Sequence, residues 1–251
     1  MTDVWAACGS RAEPVPYSGE VLRMVESQEQ VATQRLVGDL GEQDLLESLL
    51  ERSKPPRPAA TAGLDYLLAT PFRYPPLRYG SRFGRRHEPA LFYAACARPP
   101  LLAEAAYYRF VFWQGMKSPP PRMLRTQHTL FGSRVRARRA YRLDAVPFDA
   151  YRDELASPGD YSATQALGTE MRAAGADAIV YPSARDPERG LNVALYTPAA
   201  FAAPRPSFRE EWFCETSAER VSFRSRGGGA GVHSLPLAQF TVGGRLPIPA
   251  A

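Results

Sequence analysis

Lysine, histidine and cysteine are scarce in this sequence, and none of them occurs at a spacing typical of metal sites. Only two of the 31 basic residues are lysine, and the 251 residues include three histidines and three cysteines. The cysteines, Cys8, Cys96 and Cys214, are odd in number and far apart, and the histidines form no ligand pair. We therefore expect neither a disulfide framework nor a bound metal.

Long apolar runs are also absent. No uninterrupted run approaches the roughly 18 to 20 apolar residues that span a bilayer. The N-terminal stretch MTDVWAACGSRAEP has neither the basic start nor the long apolar region of a secretory signal. Hydrophobic residues make up 45% of the chain and charged residues 23%, which is ordinary for a soluble globular protein. We expect a cytoplasmic protein with no membrane partner.

The common catalytic and nucleotide-binding motifs are missing. The sequence contains no GxGxxG after a strand, no Walker loop, no GxSxG and no HExxH. The stretch GGGAG at residues 227–231 lacks the flanking strand and helix of a phosphate-binding loop, so we interpret it as a turn. Any catalytic residues must therefore be dispersed along the chain.

Charge is distributed unevenly along the chain. Residues 1–70 hold six basic and 11 acidic residues, residues 71–142 hold 15 and two, and residues 143–251 hold ten and 13. The net charge of +5 therefore originates in the middle. A basic segment attracts nucleic acid, nucleotide phosphates or an acidic protein, or it forms a solvated surface. We expect the middle of this chain to bind an anion.

The pattern of apolar residues divides the chain into three parts. Residues 19–54 show helical spacing, and the Pro-rich stretch KPPRPAAT at residues 54–61 cannot continue a helix. We therefore predict an acidic helical extension over residues 1–61, a catalytic domain over residues 62–226, and an irregular Gly- and Pro-rich tail over residues 227–251.

Within the predicted domain, strands and helices interleave without a regular βαβ rhythm. ALFYAA at residues 90–95 indicates a strand, and Pro99-Pro100 then marks a helix start that places Glu104 in or near the first turn, where the helix dipole favours a carboxylate. Ser162 and Gln165 form a capping box for a second helix, which ends at Gly175. The predicted fold class is mixed α+β.

The later strands follow from shorter patterns. HTLFGSRVRARRAYRLD at residues 128–144 alternates β-formers with arginines, which predicts strands with one basic face. DAIVYPS and LNVALYT are apolar, strand-like runs, and REEWFCET with ERVSFRSR indicates a hairpin.

Four residues in the predicted domain occur in an order and spacing that are characteristic as a set. Arg82, Tyr93 and Glu104 lie eleven residues apart, and Ser183 follows an apolar strand 79 residues after Glu104. The motifs GSRFG, ALFYAA, LLAEAAYYR and DAIVYPSARD carry these residues. In these motifs the chain resembles the RES-domain family over roughly residues 62–205. With LLATPFRYPPLRYGSRFG it is most similar to the branch that contains the toxin of ParS-ParT toxin-antitoxin modules.

This resemblance implies a sheet core like that of the ADP-ribosyltransferases, consumption of NAD+ and a cognate antitoxin. Depending on the member, the family acts as phosphorylase, hydrolase or ADP-ribosyl transferase. Many relatives have Gly-Gly-Arg-Trp-Asn at the first motif, whereas this chain has Gly-Ser-Arg-Phe-Gly, so Gly84 replaces the asparagine. The upstream NAD+-contacting arginine of the family is placed at Arg73, with Arg78 as a rival.

The residue types suit this chemistry. Breaking the nicotinamide-ribose bond leaves positive charge on the ribose, which the Glu104 carboxylate would stabilise. The planar guanidinium of Arg82, and of Arg73 or Arg78, suits the diphosphate. Tyr93 offers a flat face and a hydroxyl to nicotinamide or its ribose. Ser183 can bind a ribose hydroxyl or the carboxamide. In the purely structural alternative, Tyr93 is a core aromatic residue, Ser183 a turn residue, Arg82 a surface charge and Glu104 an acid that complements the helix dipole.

Two classes of function remain open at this point. One is an NAD+-consuming toxin, acting as ADP-ribosyltransferase, phosphorylase or glycohydrolase. The other is a basic binding module for nucleic acid or an acidic protein without chemistry, although we do not expect direct nucleic-acid binding. By resemblance to the ParT branch the acceptor of ADP-ribose would be a protein, such as the synthetase of phosphoribosyl pyrophosphate, rather than water or phosphate.

Overall fold

The fold is built on one mixed sheet of eight strands. The computed structural model describes residues 3–27, 36–229 and 231–248. In chain order the strands are β1 (Val15–Glu26), β2 (Phe92–Ala95), β3 (Leu124–Arg142), β4 (Ala178–Pro182), β5 (Leu191–Leu195), β6 (Phe208–Thr216), β7 (Arg220–Ser225) and β8 (Val232–Pro236). The predicted α+β class is confirmed.

Six α-helices accompany the sheet in the described ranges. They are α1 (Val4–Cys8), α2 (Leu40–Ser53), α3 (Tyr66–Arg73), α4 (Arg98–Gln114), α5 (Arg152–Leu155) and α6 (Ser162–Ala173). Short 3₁₀ turns lie at Ala59–Thr61, Phe148–Tyr151, Pro198–Ala200 and Leu237–Phe240. Across the described residues, every helix is too short or too polar to cross a membrane.

Five of the strands close on themselves. The strand order is β1-β2-β5-β4-β3-β6-β7-β8, and β1 also pairs with β3. All neighbouring strands are antiparallel except β3 and β4, which are parallel. One apolar cluster, including Phe92, Phe131, Val180 and Val193, lies among these five strands. A second cluster lies between α4 and the β6–β7 hairpin.

The prediction of a helix from residue 19 to residue 54 is wrong for its first part. Residues 15–26 form β1, which pairs with β3 from Val15 to Glu26. Val21 and Val25 pack among the closed strands while Leu22 and Met24 pack towards α4, so the apolar residues also follow the two-residue period of a strand. The sheet therefore runs across the predicted boundary near residue 62.

The later part of the predicted extension is helical where the structure describes it. Helix α2 confirms the acidic helix, with Asp39 as its N-cap, and residues 28–35 of the prediction lie outside the described residues. No residue of α2 is buried, and Leu45 and Leu49 are half exposed. Its leucine face therefore contributes nothing to the core described above.

Two predictions of helix termini are wrong in detail. Helix α4 begins at Arg98 with prolines in its first turn, so Glu104 lies in the second turn, beyond the reach of the terminal dipole. The capping box of α6 is not formed, because the N-cap is Tyr161, which makes no side-chain cap. The carboxylate of Asp160 instead accepts the Ser162 amide at 2.8 Å. The predicted end of α6 is confirmed, since Gly175 adopts a φ of 74°.

The remaining strand predictions are confirmed, except in the tail. ALFYAA contains β2, the two apolar runs form β4 and β5, and β6 and β7 form the hairpin. The alternating stretch forms most of β3, on which Arg134 and Arg136 are exposed between buried neighbours and Arg138 and Arg139 are exposed side by side. The tail is less irregular than predicted, because β8 pairs with β7 and Phe240 packs beside α4.

Candidate active site

Glu104 is held by two side chains from the neighbouring strand β5 and the end of β4. Ser183 Oγ donates to Glu104 Oε1 at 2.7 Å, and Asn192 Nδ2 donates to the same oxygen at 3.0 Å. Ser183 and Asn192 are both almost fully buried. Ser183 Oγ in turn accepts the amides of Arg185 and Asp186 at 3.1 and 3.2 Å. The carboxylate is therefore fixed in place.

Arg82 lies on a tight turn that the Tyr93 hydroxyl stabilises through two hydrogen bonds. The Tyr93 hydroxyl accepts the Phe83 amide at 3.0 Å and bonds Ser81 Oγ at 2.8 Å. Gln165, from α6, donates to the carbonyls of Tyr79 and Ser81 at 2.9 and 3.0 Å. Burial raises the Tyr93 pKa to about 12, so its hydroxyl stays protonated at neutral pH. These contacts set the position of Arg82.

Close backbone approach explains the glycines of this turn. A Cβ on Gly84 would lie 2.9 Å from both Leu91 Cδ1 and Ser81 Oγ, so the asparagine of many relatives would not fit here without movement. On the opposite side, a Cβ on Gly168 of α6 would lie 2.0 Å from the Phe83 carbonyl oxygen. The Arg82 turn is thus packed directly on α6.

The Arg82 guanidinium is buried and only partly hydrogen-bonded. Nη1 donates to the carbonyls of Leu155 and Ser157 at 3.3 and 3.1 Å, and the guanidinium stacks 4.4 Å from the Tyr161 ring centroid. Nη2 is buried and makes no hydrogen bond to any described residue. Burial opposes the charge on Arg82, but Tyr161 and Glu104 more than offset this effect and raise its pKa.

Two further buried arginines, Arg23 and Arg185, share tyrosine neighbours with Arg82, and the sequence analysis did not predict either as a site residue. Arg23 of β1 donates to the Tyr93 carbonyl and lies over the Phe92 ring, and its Nε is buried without a partner. Burial lowers the Arg23 pKa to about 10, with the phenols of Tyr108 and Tyr181 acting in the opposite sense.

Arg185 is the third arginine. Nη2 donates to the Tyr161 hydroxyl at 3.1 Å, and the guanidinium carbon lies 3.4 Å from the Tyr107 ring centroid. Nε and Nη1 are buried without partners. Within the described ranges, Arg23, Arg82 and Arg185 form no ion pair. Arg82 lies near enough to Glu104 for the two charges to interact, and Tyr107 lies near Glu104, Arg82 and Arg185.

The two arginines predicted to accompany Arg82 lie elsewhere. Arg73 Nη1 pairs with Glu51 of α2 at 2.7 Å, and its Nε donates to the Pro55 carbonyl at 2.6 Å. Arg78 is exposed and lies over the Tyr79 ring. No contact of either residue with Glu104, Arg82 or Ser183 occurs among the described residues.

Sequence signals for the missed residues existed but were weak. Arg23 interrupts an apolar run at a position facing the core, which marks an arginine with a buried role once the run is assigned as a strand. Asn192 is likewise the one polar residue in LNVALYT before its final threonine. Assigning residues 19–26 to a helix concealed the first of these signals.

The chemistry available here is that of a fixed carboxylate near Arg82, with two further buried arginines that form no ion pair in the described chain. Within the described part of the chain, no group of His, Cys, Asp or Glu is arranged to hold a metal ion. An open depression on the surface near β6 and β7 is a separate feature, because its three arginines, Arg98, Arg209 and Arg226, are ion-paired with acids. The arginines around Glu104 instead suit an anionic substrate.

Comparison with known proteins gives one family. A family model described as the RES domain matches residues 55–217. Among solved structures, the chain is similar to one in the crystal structure of the M. tuberculosis MbcT-MbcA toxin-antitoxin complex. The two share 10% sequence identity with a TM-score of 0.47, over 83% of this chain and 91% of the other. No curated protein matches the chain.

Proposed function

The chain belongs to the RES-domain family, and from that premise we propose that it cleaves the nicotinamide-ribose bond of NAD+ as the toxin of a toxin-antitoxin pair. The observation that carries this proposal is the fixed Glu104 carboxylate near Arg82, together with Arg23 and Arg185, which share tyrosine neighbours with Arg82. None of the three arginines forms an ion pair among the described residues, and each has a buried N–H group without a partner there. A dinucleotide brings both a ribose for the acid and a diphosphate for the arginines.

Glu104 has the geometry of an electrostatic catalyst. Departure of nicotinamide leaves positive charge on the ribose, and a carboxylate held in place stabilises that charge without having to reorganise. Both hydrogen bonds in the described chain reach Oε1, so Oε2 is the oxygen left for the substrate. Because the Ser183 hydroxyl proton is directed to Glu104, Ser183 acts as a positioning residue in this proposal.

The arginines have the geometry of a diphosphate site. A buried guanidinium without a carboxylate is unfavourable until an anion arrives, and phosphate oxygens accept paired hydrogen bonds from arginine. Arg82 Nη2, Arg23 Nε and two nitrogens of Arg185 are buried donors without partners. Arg23 therefore takes the role that the sequence assigned to Arg73 or Arg78.

The acceptor of ADP-ribose belongs to the same proposal. Transfer to a protein, with the synthetase of phosphoribosyl pyrophosphate as the first candidate, rests on the resemblance to the ParT branch alone. Phosphate or water would use the same NAD+ pocket, since acceptor choice depends on surfaces around it.

The test is nicotinamide release by the purified protein, free of any partner. NAD+ is incubated with and without phosphate and cell lysate, and mass spectrometry identifies the ADP-ribose product. Glu104→Gln should lower the rate about 100-fold or more, because it removes one preorganised charge and little shape. Glu88→Gln is the matched control, since Glu88 is the other acid of residues 71–142 and it bonds Thr169 and the Arg85 amide.

Two outcomes would contradict the proposal. Nicotinamide no higher than in a boiled control, with phosphate and lysate present, excludes NAD+ cleavage. Equal rates for Glu104→Gln and Glu88→Gln would make the Glu104 carboxylate a structural group.

A further inference from the structure

Two half-exposed aromatic residues continue the row of α4 that begins at Glu104. Glu104, Tyr108 and Phe112 are four residues apart, so their side chains lie above one another on one face of the helix. Tyr108 is 51% exposed and Phe112 is 52% exposed. At about 1.5 Å of rise per residue, the row extends roughly 12 Å from the carboxylate.

Each ring is supported on one side by the protein. The Tyr108 ring meets the Tyr107 ring edge-on, with centroids 5.1 Å apart. The Phe112 ring lies 5.1 Å from the guanidinium carbon of Arg109. Arg109 is itself fixed by Glu26 at 2.9 Å and Thr216 at 3.1 Å. The two rings are therefore held in place while about half of each side chain stays open.

The row leads out of the site past its charged groups. Tyr108 lies close enough to Glu104, Tyr161 and Arg82 for electrostatic interaction with all three. The Tyr108 phenol also acts on the pKa of Arg23. For a substrate that reacts at Glu104 and places its diphosphate at the arginines, this row is an exposed aromatic surface within reach of its remaining part.

We propose that Tyr108 and Phe112, here called the aromatic shelf, bind the adenine ring of NAD+. This inference rests on the proposed function. Adenine is a flat, uncharged ring system that stacks on aromatic side chains without needing a charged partner. The shelf offers two aromatic side chains, and Arg109, the charged group against Phe112, is already paired with Glu26. At the other end of the row, Glu104 and Arg82 are charged and suit the polar parts of the substrate. The shelf is therefore a positioning and specificity element, and Glu104 acts on the reacting ribose.

Substrates with and without adenine separate this role from a structural one. Phe112→Ala should raise KM for NAD+ roughly five- to hundredfold, the range for losing one base-stacking contact. Its kcat/KM for nicotinamide mononucleotide, which lacks the adenosine half, should equal that of the unaltered protein. Phe112→Trp keeps an aromatic face and should restore KM for NAD+. Tyr66→Ala is the control, since Tyr66 is 57% exposed and lies under Arg209 as Phe112 lies over Arg109.

Binding of AMP and ADP-ribose, measured by calorimetry, makes the test independent of catalysis. The unaltered protein should bind both, and Phe112→Ala should bind both five- to hundredfold more weakly. If this holds but no nicotinamide is released, the shelf stands and the proposed reaction falls. If Phe112→Ala binds AMP unchanged, or loses activity equally on NAD+ and nicotinamide mononucleotide, the shelf proposal is overturned. If the aromatic shelf instead contacts a protein partner, Phe112→Ala should bind AMP unchanged.

Discussion

An arginine that leaves water without gaining a carboxylate keeps its charge at a considerable cost in free energy. Arg23, Arg82 and Arg185 are buried without an ion pair in the described structure, and each keeps at least one buried N–H group without a partner there, although the charge of Glu104 favours that of Arg82. Arg73 differs from them, because its guanidinium donates to the Glu51 carboxylate and to the Pro55 carbonyl. This difference between individual residues predicts which arginine binds the diphosphate with Arg82.

Arg23→Lys should therefore weaken NAD+ binding. An ammonium cannot reproduce the planar fork of a guanidinium, and a lost charge-assisted hydrogen bond is worth about 1.5 to 3 kcal/mol, or roughly ten- to hundredfold in KM. Arg73→Lys should leave KM unchanged, since the lysine remains beside Glu51. Steady-state nicotinamide release over a range of NAD+ concentrations measures both. The opposite pattern, with KM raised only by Arg73→Lys, would return the diphosphate contact to the arginine chosen from the sequence.

At the scale of helices and strands, local sequence patterns predict most elements correctly. The remaining elements depend on long-range strand pairing and helix packing. The strand in ALFYAA, the β6–β7 hairpin and the proline-started α4 follow from propensity and turn chemistry. Strand β1 does not, because Val21, Leu22 and Val25 fit both helical and strand spacing, and only pairing with β3 selects the strand. Gln165 was assigned to a cap by its spacing, whereas packing of α6 on the Arg82 turn gives it the carbonyls of Tyr79 and Ser81.

The same limit applies to the site. Glu104 and Ser183 are two of the four predicted site residues, and the structure brings them into direct contact at 2.7 Å, which the sequence did not predict. Their motifs are short and continuous. The contribution of Arg23 depends on a strand crossing beside β2, which no local pattern encodes.

A buried polar cluster joins α4 to the ends of β1, β3 and β6. Arg109 of α4 pairs with Glu26 and bonds Thr216, and His128 of β3 lies nearby, only 5% exposed, with its Nε2 bonded to Thr126 at 2.9 Å. Burial, and secondly the charge of Arg109, lower the His128 pKa to about 4 from an ordinary 6.5. The folded protein therefore holds His128 neutral where the unfolded chain would protonate it.

This shift makes the protein less stable as pH falls. Between pH 6.5 and 4 the unfolded state binds more protons at His128, so its contribution to stability is present above that window and is lost within it. From pH 7 to pH 5 the unaltered protein should lose about 2 kcal/mol more unfolding free energy than His128→Gln. Urea denaturation at both pH values measures this, with exposed His87→Gln as control. Equal losses in all three proteins would mean that His128 is not held neutral by the fold.

At the scale of the whole molecule, the charge asymmetry of the sequence is partly neutralised by folding. Five of the 15 basic residues in residues 71–142 are ion-paired with acids from other segments, namely Arg73, Arg98, Arg109, Arg125 and Arg142. Besides the paired Arg125, the exposed arginines of β3 are at positions 134, 136, 138 and 139, and these four form no ion pair in the described chain. A basic strip thus remains on the surface after the internal pairs are formed.

The proposed toxin would require an inhibitor in the cell that produces it, and the basic strip predicts how charge affects the association of the two proteins. We expect the cognate antitoxin to suppress nicotinamide release and to associate at least about tenfold more slowly at high salt than at low salt, because steering between opposite charges is screened. Replacing Arg134 and Arg136 with Gln should flatten this salt dependence. Replacing Arg220 and Arg224, exposed on β7, removes the same charge and should do so less. Stopped-flow association rates are measured for the unaltered protein and both variants. An association rate that does not change with salt, together with nicotinamide release that persists in the complex, would contradict both the role of the basic strip and the inhibition by an antitoxin.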